Sequence, residues 1–169
     1  NLSIGGLGLE GFGATGTTLP LLEELNLAND TYLNNNPIEF KSIFFVDGKS
    51  YMKKINLTGT RWGSKNSREY SVNVANYDKL ISLNISNSDV QSVSLPQSSL
   101  QKLSVYNSNI NALDLVNQIY LESIDFTDCK QLSAITIKNC SKLSELVLDN
   151  MLNLERIEAA LNKGLSKLT

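Results

Sequence analysis

Histidine is absent from all 169 residues. Its absence removes the commonest general base, the Ser-His and Cys-His nucleophile pairs and most catalytic zinc sites, which argues against an ordinary hydrolase. A dominant charge is missing too. The formal net charge is −2 and no block of like charge stands out, so the basic footprint of a nucleic-acid binder is not present. Long apolar runs are also lacking; the run at 43–46 is far too short to span a bilayer, and no membrane span is expected. No signal-peptide pattern is visible and the chain does not open with Met, so a mature or excised piece is expected. At 18.6 kDa with 41% hydrophobic residues, one domain with an ample core remains possible.

What the chain has in abundance is a repeat. From Leu80 an apolar triplet with the spacing L-x-x-L-x-L restarts every ten or eleven residues, at Leu80, Val90, Leu100, Ile110, Leu121, Leu132, Leu143 and Leu154. A unit of ten or eleven residues is too short to close a coil of this kind, which takes twenty or more, so two units are expected per coil. One short strand then lies on each long side. The last two apolar positions of each triplet are two apart and share a strand face pointing inward. Alternate units stack, with 80 under 100, 121 and 143 on one side and 90 under 110, 132 and 154 on the other. A quasi-one-dimensional stack of this type presents surface, which shifts expectation from catalysis toward recognition.

The phrases LEELNLAND, MKKINLTGT, LISLNISNS, LESIDFTDC and LSELVLDN resemble the leucine-rich repeat family, in the short bacterial form where both halves of a repeat read L-x-x-L-x-L. The resemblance covers most of 20–169. It implies a mostly β leucine-rich-repeat solenoid with two short parallel strands per coil and little helix. The asparagine that follows the strand in the family varies here, with Asn29, Gly59, Cys129 and Cys140 aligned to that role. The long helical convex side of eukaryotic members is missing.

Upstream, weaker units start at Leu22, Phe40, Met52 and Glu69, giving irregular coils over 20–79 before the regular coils of 80–169. The steps from 22 to 40 and from 52 to 69 are each about seven residues too long. Both extra loops, 29–37 and 59–68, follow strands of the same side and should emerge from one edge. They carry Tyr32, Asn35, Arg61, Trp62, Lys65 and Arg68, the kind of aromatic and cationic anchors that a rigid scaffold presents to a partner. Trp62, the only tryptophan, has two readings: a binding anchor, or a cap folded over the core. On the first strand series the outward positions include Lys102, Tyr106 and Asp125. That face is the larger and more polar of the two, more acidic toward its carboxy end, with Tyr106 as the expected central contact.

Residues 1–19 differ in kind. Six glycines crowd this stretch, and a segment covering one end of the solenoid is expected. The formal G-x-G-x-x-G match at Gly6, Gly8 and Gly11 lacks a strand-turn-helix setting. At the other end Leu165-x-x-Leu168 arrives on schedule for another unit, so the repeat is expected to continue; a capping helix over 155–163, stopped by Gly164, is the alternative.

Cys129 and Cys140 occupy equivalent places in successive units and should fall at opposite edges of a coil, which disfavours a bond between them. Asn-x-Ser/Thr sequences at Asn29, Asn56, Asn84 and Asn139 arise readily in an Asn/Ser-rich repeat and do not show glycosylation. No regular carboxylate ladder supports a calcium site. With no nucleophile-base pair and no metal cluster visible, neither catalysis nor a cofactor is expected. The expected function is a non-catalytic recognition or adhesion module on a bacterial or phage surface. Its partner would be a protein or glycan, and its location extracellular, on a cell surface or on a virion. The alternative is a structural spacer among the subunits of a phage tail or other large assembly.

Overall fold

A computed structural model describes residues 2–3, 21–29, 50–60 and 71–169. Every regular element among them is a strand. Apart from Leu2–Ser3 (β1), the strands fall into two series. The first comprises Glu24–Asn26 (β2), Lys54–Asn56 (β3), Ser82–Asn84 (β5), Lys102–Ser104 (β7), Ser123–Asp125 (β9), Glu145–Val147 (β11) and Lys167–Leu168 (β13). The second comprises Ser71–Asn73 (β4), Ser92–Ser94 (β6), Ala112–Val116 (β8), Ala134–Lys138 (β10) and Arg156–Ala160 (β12). All pairing is parallel, and from β3 onward each ladder joins alternate strands in sequence, as two units per coil require: Lys54 lies between Glu24 and Ser82, and Ala134 between Ala112 and Arg156. The fold is a parallel β-solenoid. Among the described residues no helix is long and apolar enough to cross a membrane.

The apolar triplets account for the core. Leu80, Leu83 and Ile85 are all buried, as are Leu100, Leu103 and Val105, and Leu121, Ile124 and Phe126 in the coils that follow. In each three-residue strand the middle side chain points in and its neighbours point out, so β3 reads exposed, buried, half-buried. Each fully buried Leu or Ile contributes about 1.5–3 kcal/mol relative to exposure. No coil could bury its triplets without a neighbour above or below.

Coil length changes along the stack. Successive first-series units start 20 residues apart (80 to 100), then 21 (100 to 121), then 22 (121 to 143). Each side has one ladder break: β7 and β9 touch without strand pairing, and so do β6 and β8.

Turn chemistry is equally regular. On the edge leading from first to second series, Asn29, Gly59, Asn87, Asn107, Asp128 and Asn150 all have positive φ. On the other edge Asn117, Asn139 and Leu161 do. Asn, Asp and Gly tolerate this left-handed conformation where other residues pay in strain. Space at Gly59 is also closed, since a Cβ there would stand 2.3 Å from Asn29 Oδ1.

Where the following residue is described, it turns inward at these positions. On the first edge Thr60, Ser88 and Ser108 donate their hydroxyls to Leu57 O (2.7 Å), Ile85 O (2.5 Å) and Val105 O (2.5 Å), and Cys129 Sγ donates to Val105 O at 3.0 Å. On the second edge Cys140 Sγ meets Leu115 O at 3.3 Å. One step on, Asn162 Nδ2 donates to Ile137 O (2.7 Å) and Asn162 Oδ1 accepts from Cys140 N (3.0 Å). These bonds help satisfy buried carbonyls at the turns. The alignment of Asn29 and Gly59 with Cys129 and Cys140 is thereby corrected. The first two stand one position earlier, on the exposed left-handed residue, and the cysteines stand on the inward one.

Both cysteines are free and buried, on opposite edges, and burial pushes both thiols up from their ordinary range. The alternative of a capping helix over 155–163 is overturned. Arg156–Ala160 is strand β12, and the backbone N–H groups of Glu155 and Arg156 both donate to Ser133 O. The open edge of β10 offers a full parallel ladder, which outweighs the helix preference of Ala159 and Ala160. The expected strand at Phe40 and the bulk of the glycine-rich opening segment lie outside the described residues. Leu2–Ser3 pairs in parallel with β2, Leu2 opposite Leu25.

Two outcomes follow. Leu161 is 75% exposed and holds φ 58° where its equivalents are asparagines. Leu161→Asn should therefore stabilise the chain by roughly 1 kcal/mol, a rise of about 2–4 °C in melting temperature; an unchanged or lower value would refute the strain. Without reductant, a thiol reagent should add two labels after denaturation and label the native chain only slowly, as mass spectrometry can count.

Candidate binding surfaces

The six residues expected to form a loop-edge site, Tyr32, Asn35, Arg61, Trp62, Lys65 and Arg68, lie outside the described residues. The three expected on the strand face are described, and they differ in what they leave available.

Lys102 stands exposed on β7, beside Ser82 on β5. By the repeat frame the corresponding residue of the next coil is Ser123. Elsewhere on this face lysines are paired across coils: Lys54 with Glu24 at 2.6 Å, and Lys167 with Glu145. The Lys54 hydrogen bond and charge hold the Glu24 carboxyl below its usual range. Pairing also offsets the acidic tendency read at the carboxy end, because Lys167 faces Glu145. Lys102 has no ion pair among the described residues, which leaves an uncompensated cation near the middle of the face.

Tyr106 follows β7 and is 42% exposed. Its hydroxyl accepts from Asn87 Nδ2 at 3.2 Å, and Asn87 Oδ1 accepts in turn from Asn107 Nδ2 at 2.9 Å. The ring is thus held by the asparagine ladder of the turns and stands as a pre-positioned aromatic close in sequence to Lys102. Asp125 is engaged within its own turn: Oδ1 accepts from Thr127 N (2.8 Å) and Thr127 Oγ1 (2.6 Å). Asn26, Asn56 and Asn84 make the same backbone bond two residues on, to Ala28, Thr58 and Ser86. Asp125 is the aspartate member of this column of local side-chain turns.

Sequence reasoning missed a cleft on the opposite edge, the one leading from second to first series. About 570 Å³ in volume, it is lined by Ala75, Asn76, Asp78, Leu95, Gln97, Ser98 and Ser99. Its origin is one missing residue. Five residues separate Val74 from Leu80, Leu115 from Leu121 and Ile137 from Leu143, but only four, 96–99, separate Leu95 from Leu100. The shorter turn opens a notch beside the fuller turn at 75–79. Pro96 is buried there, and its carbonyl accepts from Gln118 Nε2 of the next coil at 2.7 Å. The ten-residue step from Val90 to Leu100 against eleven at Glu69 was the available signal.

Gln118 is almost fully buried, so Gln118→Ala should strand the Pro96 carbonyl and cost about 1–3 kcal/mol. Urea denaturation should show a lower midpoint at constant slope; an unmoved midpoint would remove this bond from the account of the turn. Set against known proteins, the chain matches no family model, no curated protein and no solved structure.

Proposed function

We propose that this chain is a non-catalytic recognition module of the leucine-rich-repeat type, exposed on the outside of a bacterial cell or phage particle, and that its first strand face binds a protein or glycan partner. The observation that carries this reading is the uncompensated Lys102 with the pre-positioned ring of Tyr106 on a rigid face. Rigid aromatic and cationic side chains that need no ordering on binding are the usual energetic centres of interfaces. The repeat assignment draws support from Cys129, Cys140 and Asn162. They stand at the Asn/Cys position of L-x-x-L-x-L-x-x-N/C, and each donates to a buried turn carbonyl.

The alternative, a spacer among the subunits of a virion or other large assembly, would use the same stack of coils and differs from the first reading in its state of assembly.

Tyr106→Ala and Lys102→Glu should each weaken partner binding about tenfold or more while leaving the melting temperature within a degree or two. Asp125→Asn should change binding little, since the amide can keep the turn bond. Wild-type affinity in both the Tyr106 and Lys102 variants would exclude the strand face. Light scattering tests the alternative: a monomer at all concentrations argues against assembly.

A further inference from the structure

The cleft on the second edge lies within a column of side chains that the repeat frame brings together. From Met52 onward, the residue just before each first-series unit is Tyr51, Lys79, Ser99, Tyr120, Lys142 and Gly164 in turn. Contacts between coils confirm the column. Lys79 Nζ stands 4.1 Å from the centroid of the Tyr51 ring and Lys142 Nζ 5.4 Å from that of Tyr120, while a Cβ on Gly164 would meet Ser141 O at 2.8 Å and Leu143 O at 3.2 Å. Tyr51 and Tyr120 are both substantially exposed. Ser99 sits between the two lysine–tyrosine pairs and lines the cleft, as does Asp78, the chain neighbour of Lys79. Three coil steps separate the two rings, roughly 14 Å at about 4.8 Å per step.

The cleft's chemistry is specific. Its polar lining is an amide pair (Asn76, Gln97), one carboxylate (Asp78) and two hydroxyls (Ser98, Ser99). The Ser99 hydroxyl oxygen is buried without a hydrogen-bond partner among the described residues. Among the described residues no lysine or arginine lines the cavity. Amides that both donate and accept, beside a carboxylate that accepts twice, match the neighbouring hydroxyls of a sugar. Tyrosine rings offer flat apolar faces for the C–H side of a pyranose, with a polar tip left in water. A volume of 570 Å³ falls within the roughly 300–1,000 Å³ of small-ligand sites.

From this juxtaposition we infer that the second edge is a binding site for a neutral oligosaccharide. One sugar ring sits in the cleft between the turns at 75–78 and 96–99, and the chain of sugars extends along the column toward Tyr51 or Tyr120. Neutrality applies to the ring in the cleft, where Asp78 would repel a carboxylate or sulfate and no cation lines the cavity among the described residues; Lys79 and Lys142 lie outside it, against the tyrosine rings. The site extends the recognition reading and rests on it, but lies on a different edge from Lys102 and Tyr106.

The test is an array of neutral hexose and N-acetylhexosamine oligosaccharides, with sialylated and sulfated sugars as a contrast, probed with the 169-residue chain. Neutral hits are then titrated by calorimetry against variants. Asp78→Asn should lower affinity about tenfold or more, the scale of a hydrogen bond to a charged group, and Tyr120→Ala severalfold. Both residues are on the surface, so unchanged circular dichroism and melting temperature are expected alongside. Tyr106→Ala should bind neutral sugar as wild type does. Silence on all neutral sugars, hits confined to sialylated or sulfated ones, or neutral binding that survives both Asp78→Asn and Tyr120→Ala would each overturn the assignment. If neutral sugars fail while a partner still binds through Lys102 and Tyr106, the cleft assignment alone falls. If no partner binds either face or edge, the recognition reading falls with it.

Discussion

The parallel backbone ladder between coils is the constraint from which the other features follow, because a single coil has neither a closed core nor satisfied strand edges. Leu83 is buried only because Ile55 and Leu103 lie in register on either side, and the same ladder that aligns them aligns every turn residue. Equivalent positions therefore repeat as columns about 4.8 Å apart, and any chemistry at one position is multiplied along an edge or face. The exposed Asn107–Asn87 bond, the inward hydroxyl and thiol series, and the lysine–tyrosine pairs are all products of that one translation.

Columns also explain where binding chemistry is and is not available. Several cross-coil neighbours complement one another. Glu24 meets Lys54, Lys138 meets Glu158 at 2.5 Å, and asparagines bond asparagines. Such exposed pairs add little to stability, but they neutralise the surface. Binding chemistry is left over where the complement is interrupted. Lys102 has a serine beside it in place of an acid. The turn at 96–99 lacks one residue and leaves a notch whose polar lining is not used up in holding the fold.

Much of this was legible in the residues. Triplet spacing alone placed the strands, paired alternate units and put Cys129 and Cys140 on opposite edges, because inward positions cannot be exchanged without exposing apolar side chains. Errors arose where two local signals competed. Ala159 and Ala160 favour helix in isolation, yet the edge of β10 captures them as strand. Asn29 and Cys129 looked equivalent until backbone φ separated a left-handed position from the inward one after it. Lys102 and Tyr106 were visible as outward residues, whereas the tying of Asp125 to Thr127 was not, since that bond depends on the shape of the turn.

Period and polarity, which depend only on which residues must leave water, were thus set by the order of amino acids along the chain. Cavities and unpaired charges were not, because each depends on what the neighbouring coil places alongside. A four-residue turn is unremarkable in a linear reading. Stacked against a five-residue turn it becomes a cleft, and an ordinary lysine stacked beside a serine becomes a cation without an ion pair among the described residues.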